Sequence, residues 1–280
     1  MGYAALMVHA EPGAEAEGRV RLAAGLADRF GAALVGFAAG AAIPPPVTAP
    51  VFGPAVAVEV LEAEQRRVEA ELRAAHERFR AAAERDGRRT GWRSFLDHPA
   101  RAMAREARAA DLLVLGRGAE AFRLEPYRAL DPGDVLMRAG RPVLVVPPGA
   151  SALEGRRVLV AWKDAREARR AVSDAMPLLA RAEEVLVAEA VADPEEREPA
   201  LRRASDVAAL LACHGATARG EALEARGRTL ADDLLAAAER HGADLVVAGG
   251  YGHARLREWA FGGVTRDLLS RCPVCCLLSH

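Results

Sequence analysis

The chain has 280 residues, enough for one large or two medium domains whose cores need no staple. Its 38 Lys+Arg balance 39 Asp+Glu, so no overall basic field recruits nucleic acid or an anionic membrane. The four cysteines, Cys213, Cys272, Cys275 and Cys276, make no metal or redox framework: "CPVCC" lies on an apolar, strand-like run, and alternation sends Cys275 and Cys276 to opposite faces as small core side chains.

In chain order, "MGYAALMVHAEPG" has no basic region ahead of an apolar one, so no signal peptide and a cytoplasmic location are expected. "ALMVHA" reads as the first strand, with the acid Glu11 just beyond it, followed by a helix over "RLAAGLADRF" and a strand over "GAALVGFA". The stretch from Phe30 to Val58 is uncharged and long enough to suggest a membrane span. It carries five prolines in "IPPPVTAPVFGP", which a spanning helix does not tolerate, so a strand and a Pro-rich loop are expected. "VAVEVLEAEQRRVEAELRAAHERFRAAAERDG" reads as a long helix with one solvated face. "DLLVLG" and "PVLVVP" are continuous apolar runs, the pattern of strands covered on both faces.

From about residue 150 the pattern returns. "ARAADLLVLGRG" at 107–118 reappears as "ERHGADLVVAGG" at 239–250, and "GRPVLVVPP" at 140–148 as "RCPVCCLLS" at 271–279. Upstream, "ALMVHA" answers to "VLVAWK" at a larger offset, because the Pro-rich stretch occurs only in the first copy. Two units are expected, 1–150 and 151–280, each a parallel α/β sheet. Strands of the second are expected near 157–162, 184–190, 216–222, 244–249 and 273–278.

Gly249, Gly250 and Gly252 follow the strand "DLVVAG", and Gly262 and Gly263 open the helix "VTRDLLSR". In an open parallel sheet, ligands settle beyond the carboxyl ends of the strands where strand order reverses. Small residues there let backbone N–H groups approach an anion, and the free N–H groups of a helix start favour phosphate. The competing reading is two tight turns whose glycines supply positive φ. A P-loop is excluded because no Lys-Ser/Thr follows, and a dinucleotide fingerprint because Arg255 stands where its third glycine belongs. Tyr251 and His253 flank Gly252, with His253 read as a loop residue ahead of an acid/base group. Arg255, Arg257 and Arg266 are candidate phosphate cations with Glu258 and Asp267 as competing partners, and Trp259 and Phe261 read as packing. No Ser-His-Asp order, carboxylate pair or metal-ligand spacing stands out.

The tandem "ADL(V/L)V-x-G" units, each closing with "(R/C)PV", and the G-x2-G-x9-G-G spacing of the second copy resemble the universal stress protein family, as a two-domain member. The resemblance implies two doubly wound five-stranded parallel sheets of strand order 3-2-1-4-5, adenine nucleotide alpha hydrolase-like, that pair through their last strands as an internal pseudo-dimer. It implies a role in stress response and, as ligand, ATP or a related nucleotide with Mg, held by Gly249, Gly252, Gly262 and the backbone of Gly263 and Val264. Weak ATP hydrolysis assisted by Lys163 or His253 is a third reading, and a homodimer of the tandem chain is compatible with the resemblance. Gly263 departs from the Ser or Thr of the family motif. Where ATP-binding members end the first strand in an acid, this chain has Trp162 and Lys163, with Asp164 one later. Trp162 and Lys163 are therefore candidates for contact with an anionic ligand; Lys163 as a surface cap is the competing reading. The first copy lacks the second glycine pair, so it is expected to be a structural partner, with Gly116 and Gly118 in a turn. The alternative function is an interaction or assembly module whose sites have decayed.

Overall fold

The computed structural model describes residues 2–11, 14–43, 54–85, 87–117, 127–225, 229–251 and 263–280. The first half alternates β1 (Ala5–His9), α1 (Ala14–Phe30), β2 (Ala33–Ala39), α2 (Pro54–Ala83), β3 (Thr90–Phe95), α3 (Pro99–Glu106), β4 (Leu112–Gly116), α4 (Pro132–Ala139) and β5 (Val143–Val146). The second half repeats the order with β6 (Arg157–Ala161), α5 (Arg166–Leu179), β7 (Glu184–Val191), α6 (Arg197–Cys213), β8 (Ala218–Glu224), α7 (Leu230–His241), β9 (Leu245–Gly249), α8 (Gly263–Arg271) and β10 (Cys275–Ser279).

The strands form one ten-stranded sheet in the order β3-β2-β1-β4-β5-β10-β9-β6-β7-β8. Each half runs 3-2-1-4-5 in its own numbering, and its neighbouring strands are parallel. The halves join where β5 and β10 pair antiparallel, with Cys276 opposite Val145 and Leu278 opposite Val143. The two expected sheets are thus one continuous sheet. Each half ends in a strand with an open row of N–H and C=O groups, and pairing the two rows satisfies both.

Apolar residues on both faces make two cores. Val158, Val160, Val247, Cys275 and Leu277 face α5, while Leu159, Val246, Cys276 and Leu278 share the opposite face with α4, α7 and α8. The cysteines of β10 are split between the faces, as alternation requires. In α2, Val68, Ala75, Phe79 and Ala83 are buried while the remaining described side chains are largely exposed, which gives the outer helix expected from its charge. The repeated Asp of "ADL" does the same work twice. Asp111 Oδ2 accepts from Ala4 N at 2.7 Å, and Asp244 Oδ2 accepts from Gly155 N at 2.7 Å, so each carboxylate ties the start of one strand to the chain entering its neighbour. Among the described residues, no helix is long and apolar enough to cross a membrane.

Candidate functional site

Strand order reverses between β6 and β9, so the crevice of the second half opens at their carboxyl ends. Ala161 lies opposite Ala248, and Leu278 of β10 opposite Ala248 on the other side. The next residues, Trp162, Gly249 and Ser279, therefore stand in a row on the face covered by α5. Above the row sits the first turn of α5. A Cβ on Gly249 would lie 2.6 Å from Ala168 N and 2.7 Å from the carbonyl carbon of Glu167. A side chain at 249 would push the helix off the sheet, so this glycine has a packing reason of its own.

Two polar side chains of the row are buried. Trp162 is 7% exposed and Ser279 1%, and neither the indole Nε1 nor the Ser279 Oγ has a hydrogen-bond partner among the described residues. A buried donor without an acceptor costs about 1–3 kcal/mol. The N-cap of α5 is Ala165, which has no side chain to receive the helix's first N–H groups. Lys163 is exposed just beyond Trp162, and Asp164 pairs with Arg169.

On the other wall, Gly263 begins α8 and is exposed; among the described residues nothing lies within 4 Å of where its Cβ would stand. Val264 is half-buried against the core, and Thr265 Oγ1 accepts the Tyr251 N–H at 3.2 Å. That bond brings the start of α8 to the end of β9, two residues from Gly249. Gly249, Gly250 and Gly263 do not have positive φ; Tyr251 does, at 50°. The turn reading of these glycines is corrected accordingly: at 249 and 250 what matters is the missing Cβ. Gly252, Gly262, His253, Arg255, Arg257, Glu258, Trp259 and Phe261 lie outside the described residues. Arg266 is exposed on α8, and Asp267 pairs with Arg271 at 2.9 Å.

The same place in the first half is filled by the chain itself. Gly116 ends β4 as Gly249 ends β9, and a Cβ on it would lie 1.9 Å from Nη1 of Arg19. The expectation of a turn at Gly116 and Gly118 is corrected at Gly116, where the glycine makes room for a buried guanidinium; Gly118 lies outside the described residues. Arg19 is 3% exposed, donates from Nε to His9 O at 2.8 Å and pairs with Glu11, which also lies 2.8 Å from His9 Nδ1. Burial alone would raise the Glu11 pKa, but Arg19 and then His9 outweigh it and hold the carboxyl below the usual range. The start of α4, the counterpart of α8, carries its own carboxylate, because Asp131 caps it by accepting from Gly133 N at 3.1 Å. Arg19, Asp131 and Ser279 were not singled out in the sequence. Their only signals were a basic residue among apolar helix positions, an Asp-Pro helix start and a polar residue closing an apolar strand.

The universal stress protein family pattern matches residues 155–280. This half of the chain is a universal stress protein domain. The fold of the whole chain is that of solved members. A universal stress protein from Archaeoglobus fulgidus DSM 4304 superposes with a TM-score of 0.64 at 14% identity, over 98% of this chain and 95% of that one. A functionally unknown protein from Pseudomonas aeruginosa PAO1 gives 0.57 at 16% identity, over 99% and 92%. At these identities the likeness is one of fold. A universal stress protein solved in complex with cAMP covers 53% of this chain at a TM-score of 0.36, too low to bring its ligand here. None of the curated proteins matches the chain significantly. In this domain Trp162 and Gly249 stand on the α5 face of the sheet, Val264 packs against the opposite face and Lys163 and Gly263 are exposed, while in the first half Arg19 lies over Gly116.

Proposed function

We propose that the chain is a cytoplasmic universal stress protein that acts in stress response by binding a nucleotide of the ATP type, or another small anionic ligand, in the unit 151–280. The unit 1–150 serves as its structural partner. The observation that supports this is the asymmetry between the crevices. Where the first half has Arg19 over Gly116 and Asp131 on α4, the second has, among the described residues, an unsatisfied indole N–H, an uncapped α5 and an open Gly263. All three present donors, and unpaired donors gathered at the end of a sheet call for an acceptor-rich ligand. Lys163 adds a cation at the rim. Mg would travel with the phosphates: among the described residues no group of three or more His, Cys, Asp or Glu is placed to hold a metal ion. In this reading any hydrolysis is slow or absent.

Calorimetric titration with ATP, ADP and AMP, with and without Mg, tests the reading. One saturable site that weakens as phosphates are removed, and weakens again in Trp162→Phe and Lys163→Ala, is the expected result. No heat with any of them defeats the nucleotide reading and leaves the chain an interaction module.

A further inference from the structure

Tyr251 belongs to the second half, yet its ring ends against the first. A Cβ on Gly133, in the first turn of α4, would lie 2.6 Å from the Tyr251 hydroxyl oxygen. Next to it, a Cβ on Gly250 would lie 2.5 Å from Leu136 Cδ2 of the same helix. Burial, and then the nearby Asp131 carboxylate, push the Tyr251 phenol up to about 12, consistent with a half-buried side chain where the halves meet. Tyr251 also keeps φ at 50°, a conformation that is strained for a non-glycine residue and persists only where the surroundings enforce it. The surroundings here are specific. Gly250 N donates to Ser279 O at 2.8 Å, His280 Nδ1 lies 3.0 Å from Gly250 O, and the Tyr251 N–H is held by Thr265 at 3.2 Å.

We propose that Tyr251 is a positioning residue: with its hydroxyl against Gly133 of α4 and the neighbouring Gly250 against Leu136, it lets the first half set the geometry of β9 and α8, and through them the ligand affinity of the second half. The first half is then a determinant of affinity, although its own crevice is plugged. The affinity part rests on the nucleotide reading above; the mechanical coupling does not.

Gly133→Ala tests it. The substitution lies in a helix, where Ala is favoured over Gly, so α4 itself is not weakened while Tyr251 is displaced. Hydrogen exchange followed by mass spectrometry is expected to show peptides 246–251 and 263–269 exchanging about tenfold faster, with ATP affinity about tenfold weaker, within the usual range of coupling between sites. Adding Tyr251→Phe removes the clashing hydroxyl and should return both readouts to those of Tyr251→Phe alone, a non-additive cycle. Tyr251→Gly, which keeps the backbone conformation and deletes the anchor, should loosen the same two peptides with the first half unchanged. Faster exchange confined to α4 in Gly133→Ala, or unchanged exchange at 246–251 and 263–269 in Tyr251→Gly, overturns the proposal. A wild-type protein that takes up no ATP defeats the nucleotide reading, and the exchange data then decide the coupling on their own.

Discussion

Arg19 occupies the volume that a side chain at Gly116 would need, 1.9 Å from its ideal Cβ, and is held there by His9 O and the Glu11 carboxylate. The first crevice is therefore closed by a cation the chain supplies itself. A guanidinium at 3% exposure depends on its partner. Glu11→Gln is expected to cost roughly 2–3 kcal/mol, less than the roughly 3–5 of a fully enclosed pair because the Glu11 side chain is about a third exposed. A urea midpoint equal to wild type would show that the pair does not hold the first half together.

The same pair predicts an acid limb. The Glu11 pKa is depressed in the folded state, so the unfolded chain takes up the proton first. Its stabilisation is fully present above the unfolded value of about 4.3 and is lost as pH falls from there through the folded pKa. Thermal melts of wild type and Glu11→Gln should run parallel from pH 6 to about pH 5 and draw closer together from there to pH 3. Curves that stay parallel throughout would assign the acid loss to other carboxylates.

The glycines of the second crevice should separate by their surroundings. Gly249→Ala places a Cβ 2.6 Å from backbone of α5, and is expected to destabilise the fold by about 1–3 kcal/mol whether or not a ligand binds. Gly263→Ser meets open space, keeps the fold and restores the hydroxyl of the family motif, so ATP affinity is expected to rise. Unfolding curves and calorimetry on both variants check this; a stable Gly249→Ala would contradict the packing assignment.

The phenols titrate late. Tyr251 is raised from 10.0 to about 12 by burial and Asp131, and Tyr3 is raised further by burial and by Asp174 and Asp111. A raised acid stays neutral in the folded state, so the associated stability is present below about pH 10 and is lost as pH climbs towards 12. Absorbance at 295 nm should show two phenols that remain protonated well past the ordinary range, one fewer in Tyr251→Phe. Two phenols titrating near 10 in the folded protein would contradict the seating of Tyr251 between the halves.

Much of the fold was legible because it depends on local pattern. The apolar runs from Leu112 to Gly116 and from Leu245 to Gly249 read as doubly covered strands, the repeat of "ADL" and "PV" announced two copies, and alternation placed Cys275 and Cys276 on opposite faces. The candidate site was legible only as an order of residue types. Glycine in a sequence does not say whether its missing side chain serves a ligand, a positive φ or a neighbouring helix, and Gly249 turned out to face Ala168.

The sequence by itself determined two α/β units, their strand order through family resemblance, and a crevice at the end of "DLVVAG", since hydrophobic periodicity and motif spacing are properties of the chain alone. Tertiary structure decided what fills each crevice and how the halves are joined. Arg19 reaches Gly116, Ser279 lines up with Trp162 across Gly249, and Tyr251 lands on Gly133, all through strand register and helix packing between residues far apart in the chain. Such contacts follow from where β1 meets β4 and where β5 meets β10, and no local pattern encodes those meetings.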